Sequence, residues 1–383
     1  MKKKITYVGH YDLLRNGKQE RVYSLAAARK MDFICNELVQ LGFDVNLVSA
    51  AYSNQKGHGK ISGTTEMIRD GITLVLAPSN RATNKIRRIQ RVIGSRLWLF
   101  RYLLRNCGKN DCVIVYHNYA DAIAIVLAQK IKGFKLVLQI EEQYSMVWNL
   151  SPFQRWKENL LLAYGKDNSL VVSELLAEKL DIKNPIVSYG NYQIYEGTIP
   201  PKLTGENIIL VFTGMIETVR NGAFLSIECM KYLPPNYTLY LSGPVSKDAE
   251  EQFYTSLKNV NLECGREACV YMGMLSNTEY EKLLLTADIA LNPQREGVLG
   301  DFVFPSKILT YMGYGLPVVS TKGGSIVESE LSDLIEFAED FTAQSVSEAI
   351  QRVNRKSPLV FIKKIDELRE KFTKKLSALL FDT

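Results

Sequence analysis

The apolar residues in the first half of the chain form short runs separated by longer amphipathic stretches. The runs are rich in Val, Ile and Leu and lack polar alternation, which is typical of parallel strands buried on both faces. They lie at residues 5–8, 45–48, 72–76, 113–115, 135–140, 170–172 and 186–187, and helical periodicity is found at 25–41, 81–109 and 120–130. Strands and helices in this alternation predict a parallel sheet covered by helices on both faces.

The alternation breaks after residue 188 and then starts again. The break contains Gly190, Gly197, Pro200 and Pro201 with little periodicity, so we interpret it as an interdomain linker. The second set of strands lies at 208–212, 237–241, 270–271, 289–291 and 317–321, with helices at 223–232, 278–285, 306–312 and 358–380.

This organisation predicts an α/β protein with two Rossmann-like, doubly wound parallel-sheet domains that face each other across a cleft. Ligands of such sheets bind at the carboxyl ends of the strands. The predicted boundaries are 1–190 for the N-terminal domain, 191–205 for the linker, 206–360 for the C-terminal domain, and 361–383 for a C-terminal helix that can cross back to the first domain.

The composition argues against a membrane-spanning, secreted or zinc-binding protein. The chain has 383 residues with 46% hydrophobic residues, and no apolar run approaches the roughly 20 residues of a membrane helix. The apolar stretch 5–8 after the three initial lysines is too short for a signal peptide, so we expect a cytoplasmic protein. Six cysteines and three histidines show no zinc-site spacing, which indicates reduced thiols and no metal site.

Positive charge is concentrated between residues 81 and 109. This segment contains nine Lys and Arg residues and no acidic residue, and its apolar positions recur at helical spacing beside Trp98 and Tyr102. Such a composition is typical of an interfacial helix on anionic lipid, although an ordinary amphipathic helix with a solvated basic face has the same pattern. Nucleic-acid binding would need a broader basic surface, so no nucleic acid is expected as a partner.

The stretch 304–321 (FPSKILTYMGYGLPVVST) carries the strongest chemical signal. It predicts a loop, a short helix, a turn with Gly and Pro, and then a buried strand. The helix N-terminus offers free N–H groups, Ser306 a hydroxyl and Lys307 a positive charge, which together could cradle a diphosphate. An ordinary helix–strand unit with a solvated lysine is the alternative.

Further candidate residues follow three of the predicted strands. In 210–222 (LVFTGMIETVRNG) a strand leads into Gly214 and then Arg220, whose guanidinium can hold two phosphate oxygens or simply lie at the surface. His117 follows the strand 113–115, as either a ligand contact or a structural histidine. Glu141 and Glu142 follow the strand 135–140; neighbouring side chains point to opposite sides, so at most one can face the cleft, as an acceptor-orienting acid, a base or a solvated acid.

The pattern F-P-S-K-x-x-x-Y-M-x-x-G-L-P-V-V-S-T resembles the donor-site segment of retaining family-4 glycosyltransferases with the GT-B fold. Bacterial members of this kind make capsule, exopolysaccharide or O-antigen. The resemblance implies that Ser306 and Lys307 hold the leaving diphosphate with Gly214 and Arg220. It also implies that His117 lies near the reacting sugar, and that a loop meets the nucleobase through the backbone of Gly273, Met274 and Leu275.

Three positions depart from the family pattern. Thr310 stands where the family has a ribose-binding Glu, and the position of its partner Glu is Phe302. Met215 replaces an Arg that contacts the diphosphate. Thr310 can still bond one ribose hydroxyl. A non-catalytic nucleotide-sugar-binding subunit of a glycosyltransferase complex therefore stays open as the alternative to an enzyme.

The resemblance implies an acceptor-binding N-terminal domain and a nucleotide-sugar-binding C-terminal domain. The expected reaction is retaining transfer of a sugar from a UDP-linked donor to a lipid-linked glycan acceptor, in cell-surface glycan biosynthesis. No Asp-x-Asp motif is present to hold a metal–diphosphate complex, so a metal-independent reaction without a cofactor is expected. Catalytic roles are expected for His117 and Glu141, and peripheral attachment to an anionic membrane for residues 81–109.

Overall fold

The computed structural model describes residues 3–13, 20–57, 59–167, 169–203, 205–295, 297, 301–354 and 356–381. The chain divides into two compact units. The first unit comprises Met1–Val172, Ala177–Ser188 and Phe372–Thr383, and the second comprises Ser173–Leu176 and Tyr189–Lys371. The stretch expected as a linker is thus part of the second unit, and the last helix begins in the second unit and ends in the first.

The main sheet of the first unit has eight strands in the order β10-β9-β8-β7-β1-β2-β5-β4. Among the described strands of this sheet, only β4 and β5 pair antiparallel. The strands, together with a separate antiparallel pair β3–β6, are β1 Lys4–Val8, β2 Asp44–Ser49, β3 Lys60–Ile61, β4 Thr64–Arg69, β5 Ile72–Leu76, β6 Ser79–Asn80, β7 Cys112–Tyr116, β8 Lys135–Ile140, β9 Leu170–Val171 and β10 Ile186–Val187. The sequence pattern missed β4 because this edge strand alternates half-buried and exposed residues instead of forming an apolar run.

Helices cover this sheet. Those in the first part of the chain are α1 Leu25–Gln40, α2 Lys85–Asn106, α3 Ala122–Lys132, α4 Tyr144–Val147, α5 Pro152–Gly165 and α6 Glu174–Lys179. Local signals fix their ends: Asn84 caps α2 through its side chain, and Gly133 ends α3 in the left-handed conformation. Helix α5, which was not predicted, starts with a capping box between Ser151 and Gln154.

The second unit contains a six-stranded sheet, parallel throughout, in the order β13-β12-β11-β14-β15-β16. Its strands are β11 Ile208–Thr213, β12 Tyr237–Ser242, β13 Cys269–Tyr271, β14 Ile289–Asn292, β15 Val318–Thr321 and β16 Ile335–Ala338. Its helices are α7 Gly222–Glu228, α8 Glu250–Glu263, α9 Asn277–Thr286, α10 Lys307–Gly313, α11 Gly324–Val327 and α12 Ala343–Arg352, with 3-10 turns at Cys229–Tyr232 and Ser332–Leu334. The last helix, α13 Pro358–Phe381, belongs to the second unit up to Lys371 and to the first unit from Phe372.

In each sheet, the strand that comes first in the chain lies near the middle, and later strands lie on both sides of it. In the first unit, β1 is followed on one side by β2 and β5, and the chain then returns to β7 on the other side. In the second unit, β11 plays the same part between β12 and β14. The crevice where the strand order reverses is the usual ligand site of an open α/β sheet. The predicted class, α/β with two doubly wound parallel sheets, is confirmed.

All six cysteines are free thiols. Within the described ranges, no helix combines the length and the apolarity that crossing a bilayer requires.

Candidate functional site

Three loops lie side by side at the carboxyl ends of β11, β12 and β13. The Gly214 amide donates to the Ser242 carbonyl (2.9 Å), and the Gly243 amide donates to the Gly273 carbonyl (3.0 Å). A Cβ atom on Gly243 would lie 1.9 Å from the Gly214 carbonyl oxygen, so only glycine allows the first two loops to approach this closely. The loops therefore present backbone groups rather than side chains at this edge of the sheet.

Lys307 lies beside these loops. Its half-buried side chain places Nζ 3.5 Å from the Thr213 carbonyl oxygen and 3.9 Å from the centroid of the Phe212 ring. No carboxylate of the described residues pairs with it. Burial, and then the nearby charge of Arg220, lower the pKa of Lys307 to about 7. An amine in this position gains most from an anionic ligand, which would supply an opposite charge.

Arg220 adds a second cation at the same edge. Its exposed guanidinium lies 3.8 Å from the Glu217 carboxylate, a weak pairing that leaves it able to turn to another anion. The Arg220 carbonyl accepts a hydrogen bond from the Arg295 amide (2.9 Å), which ties its loop to the end of β14. Helix α7 begins at Gly222, where a Cβ would lie 2.2 Å from the Pro293 carbonyl oxygen. The crevice between β11 and β14 thus carries both cations.

The other two predicted contacts of this segment lie on or next to α10. Ser306 is exposed and makes no capping bond, so its hydroxyl is available to a ligand. Thr310 is half-buried, and its hydroxyl has no partner in the described part of the chain. Phe302, at the place of the family's second Glu, is half-buried, and its carbonyl accepts a hydrogen bond from the Ser173 hydroxyl (2.6 Å).

Tyr311 is a site residue that the sequence analysis did not identify. Its buried hydroxyl accepts a hydrogen bond from the Thr213 amide (2.8 Å) and lies 2.9 Å from the Thr213 hydroxyl. The Tyr280 hydroxyl lies 3.3 Å from the Thr213 hydroxyl. These bonds fix the point at which β11 ends and the Gly214 loop begins. The sequence alone does not reveal this role, because it depends on the contact between α10 and the end of β11; the Tyr-Met pair of the motif contains the residue.

The predicted nucleobase loop lies between β13 and α9. Gly273 adopts a left-handed conformation (φ 68°), Met274 is exposed and Leu275 is half-buried. A capping box between Ser276 and Glu279 starts α9 directly afterwards. The loop is therefore held at both ends, by the Gly273 carbonyl and by the helix cap, while its middle is open to solvent.

His117, in the first unit, follows β7 as predicted. Its ring is buried, and Nδ1 lies 3.3 Å from the Glu142 carbonyl oxygen. A carbonyl only accepts, so the ring proton lies on Nδ1 and Nε2 is an acceptor. This Nε2 atom is buried and has no partner among the residues described. Burial lowers the pKa of His117 although the charge of Glu158 opposes it, which favours the neutral ring.

Glu141 forms an ion pair and hydrogen bonds within the first unit. Lys30 Nζ lies 2.8 Å from both of its carboxylate oxygens and also donates to the Ser188 carbonyl (2.6 Å). The Gln139 amide donates to the same carboxylate (2.6 Å). Burial lowers the pKa of Lys30, although Glu141 opposes this effect. The sequence could not show this pair, because Lys30 comes from a helix far away in the chain.

Comparisons with known proteins match both the second unit and the overall fold. Residues 207–356 match the family described as "Glycosyl transferases group 1". A search of curated proteins found no match. Solved structures of similar fold cover nearly the whole chain.

One is described as "Trehalose-6-phosphate from E. coli bound with UDP-2-fluoro glucose", with 12% identity, TM-score 0.67, and 99% of this chain and 97% of that chain covered. An alpha,alpha-trehalose-phosphate synthase (UDP-forming) from Burkholderia xenovorans in complex with glucose-6-phosphate has 10% identity and TM-score 0.66, covering 99% and 98%. A sucrose-phosphate synthase from Thermosynechococcus elongatus has 13% identity and TM-score 0.62, covering 99% and 95%.

At these identities the structures show the fold, and they are not capsule or O-antigen enzymes. The family match rests on the unit that holds Lys307, Arg220 and the three adjacent loops. Residues 207–356 therefore match the glycosyl transferases group 1 family, which supports a glycosyltransferase, and the chain has the GT-B fold.

Proposed function

We propose that the protein transfers a sugar, with retention of anomeric configuration, from a UDP-sugar to a lipid-linked glycan acceptor. In this proposal the second unit binds the donor. Its group 1 domain supports a nucleotide-sugar, and two similar structures are described as UDP-forming or bound to a UDP-sugar analogue. The backbone of Gly273, Met274 and Leu275 would meet the base, and Thr310 one ribose hydroxyl.

The observation that carries the proposal is Lys307 at the crevice of the second sheet, which pairs with no carboxylate that the structure describes. In the reaction, the bond between the anomeric carbon and the diphosphate oxygen breaks. An acceptor hydroxyl bonds to that carbon from the same face, and its proton passes to the departing diphosphate. Lys307 and Arg220 would stabilise the charge that develops on the diphosphate, together with Ser306 and the Gly214 loop.

The two first-unit candidates take different roles in the proposal. His117 Nε2, an acceptor without a protein partner in the described ranges, would receive a hydrogen bond from a sugar hydroxyl. Glu141 is paired with Lys30, so we assign it a positioning role at the end of β8 in place of the predicted role as a base. Breaking that pair to free the carboxylate would leave an uncompensated buried charge.

The test is release of nucleotide from a panel of UDP- and GDP-sugars, with and without a membrane extract as acceptor source. Loss of one preorganised contact costs about 3 kcal/mol at the transition state, so Lys307→Ala should lower kcat roughly 100-fold. Lys231→Ala is the matched control, because Lys231 pairs with Glu228 and Glu263 after α7, away from this edge. Equal activity of wild type and Lys307→Ala would contradict the donor-site assignment.

The product separates the retaining proposal from its inverting counterpart. We expect the NMR coupling constant of the new anomeric proton to match the configuration of the donor sugar. An inverted product would keep the donor site but reject the retaining mechanism.

Helix α2 supports the lipid-linked acceptor. It carries large apolar side chains that are exposed, and exposed cations between them; these are Ile86, Ile89, Ile93 and Leu97, with Lys85, Arg87, Arg88 and Arg101. Helix α3 packs against both α2 and α5, and α5 exposes the stacked pair Phe153 and Trp156. Apolar and cationic side chains together match an anionic bilayer surface. We propose that this face binds the inner side of the cell membrane.

Vesicle sedimentation tests the membrane part. The double variant Ile89→Ser/Ile93→Ser should bind phosphatidylglycerol vesicles at least about tenfold more weakly, since each isoleucine contributes roughly 1–2 kcal/mol when buried. Met67→Ser, which removes an exposed apolar residue from β4, is the control. Absence of vesicle binding by the wild type would reject this part and favour a soluble sugar phosphate acceptor, a second candidate that the glucose-6-phosphate complex of a similar structure supports.

A further inference from the structure

A second group of charged side chains lies at the crevice of the first sheet, where the order of β1 and β7 reverses. His10 follows β1, and its Nε2 atom lies 3.1 Å from a carboxylate oxygen of Asp121, which follows β7 and is buried. Arg96 of α2 approaches the other oxygen of Asp121 at 3.0 Å. This is the position at which an open parallel sheet binds its ligand.

Two arginines share one aromatic ring at this place. The guanidinium carbons of Arg91 and Arg96 lie 5.1 Å and 5.5 Å from the centroid of the Tyr52 ring, which follows β2. Arg91 is only 8% exposed, and its Nε atom is buried without a hydrogen-bond partner in the described part of the chain. Its single hydrogen bond there goes from Nη1 to the Asn80 carbonyl (3.2 Å). A buried guanidinium with unused donors is costly unless a ligand completes its bonds.

The charges of this group do not balance. Arg91, Arg96 and Lys157 are cations, and of the described carboxylates only Asp121 pairs with any of them. Lys157 Nζ lies 5.3 Å from the centroid of the Tyr119 ring, and the next residue, Ala120, accepts a hydrogen bond from Arg96 through its carbonyl. Burial and the charge of Arg96 lower the pKa of Lys157, although Asp121 opposes them. The guanidinium of Arg96 uses Nε and Nη1, on the Ala120 carbonyl and the Ser95 hydroxyl, and keeps Nη2 free of protein acceptors in the described ranges.

We propose that Arg91, Arg96 and Lys157 bind a phosphate group of the acceptor, with Tyr52 packed against both guanidiniums and Asp121 paired with Arg96. The inference rests on the proposed glycosyl transfer and names the chemistry of its acceptor. Guanidiniums bind phosphate oxygens through paired N–H donors, which suits this arrangement. Helix α2 thus carries two kinds of cation: those buried towards the sheet bind the acceptor phosphate, and those exposed on its outer face meet the membrane.

The experiment measures binding of inorganic pyrophosphate by calorimetry at low ionic strength, with the full chain carrying Lys307→Ala to weaken the donor site. In that background we expect saturable binding at the first unit. Arg91→Met or Arg96→Met should weaken it about tenfold or more, the typical loss for a charged hydrogen bond. Arg105→Met, an exposed arginine at the end of the same helix, should leave it unchanged. Thermal unfolding of each variant shows that it is folded.

Two results would overturn the proposal. One is absence of pyrophosphate binding in the Lys307→Ala background. The other is binding that Arg91→Met and Arg96→Met leave intact, or that Arg105→Met weakens equally. Donor hydrolysis by the wild type tests the glycosyl transfer separately, because pyrophosphate binding needs no turnover. If hydrolysis fails while the pyrophosphate site responds as expected, the site stands and its assignment to an acceptor falls.

Competition identifies the source of the phosphate. A short-chain polyprenyl phosphate and glucose 6-phosphate are each titrated against bound pyrophosphate. Displacement by the first assigns a lipid-linked acceptor, and displacement by the second assigns a sugar phosphate. Failure of both to displace pyrophosphate would overturn the acceptor role of the site.

Discussion

The protonation of Lys307 makes donor binding depend on pH. Because burial and Arg220 bring the pKa of this lysine to about 7, the free protein carries the charged amine only in part at neutral pH. A bound diphosphate favours the charged form and raises the pKa. Donor binding is therefore linked to proton uptake, and the affinity must fall as pH rises through 7.

The size of this loss of affinity follows from the fraction of Lys307 that is protonated. With a pKa of about 7, that fraction is roughly 0.9 at pH 6 and about 0.03 at pH 8.5. If only the charged form binds the diphosphate, the apparent Kd is the intrinsic Kd divided by this fraction. The Kd should then rise about 30-fold between pH 6 and pH 8.5, and any binding by the neutral amine makes the change smaller.

Calorimetry with a UDP-sugar measures both the apparent Kd and the number of protons taken up on binding. An intact UDP-sugar is preferred to UDP, whose terminal phosphate titrates in the same range. Repeating the titration at pH 8.5 in buffers with different ionisation enthalpies should give close to one proton taken up per donor, against little uptake at pH 6. Lys307→Met should bind weakly with no pH dependence over this range. A flat wild-type profile, or an equal slope in Lys307→Met, would refute the reasoning.

Two further predictions concern the packing behind the sites. Gly243→Ala should destabilise the second unit by about 2 kcal/mol or more and abolish UDP-sugar binding, because its Cβ would lie 1.9 Å from the Gly214 carbonyl oxygen. Gly265→Ala, at a left-handed glycine with open space around it, should cost only about 1–2 kcal/mol in thermal unfolding and keep donor binding; equal losses would contradict the steric argument. Lys30→Met leaves Glu141 unpaired and should lower the urea unfolding free energy by roughly 2–4 kcal/mol. Adding Glu141→Gln should recover part of that loss, and an unchanged loss in the double variant would show that the pair does not account for it.

The fold was largely predictable because its parallel strands are uninterrupted apolar runs. Buried strands such as β1, β2 and β11 have no solvent face, so their sequence signal is strong. Edge strand β4 gave no such run, and α5 was missed although Ser151 and Pro152 mark its start. Local capping chemistry was the available signal there.

The candidate site was predictable only in the part whose residues lie together in one short segment of the sequence. Ser306, Lys307 and Thr310 lie in one motif, and the structure places Lys307 beside the Gly214 loop. Features that join distant segments were not predictable from a single sequence. Examples are the Glu141 pair with Lys30 and the position of Lys307 away from the described carboxylates, which depend on tertiary packing rather than on local pattern.

The most direct test of the central claim is to locate the bound donor. A UDP-sugar carrying a photoreactive azido group on the uracil is cross-linked to the protein, and the labelled peptide is identified by mass spectrometry. We predict labelling at residues 272–276, around the exposed Met274, that excess UDP prevents and Lys307→Ala reduces. Labelling confined to residues 1–172, or labelling that excess UDP does not prevent, would contradict the assignment of the donor site to the second unit.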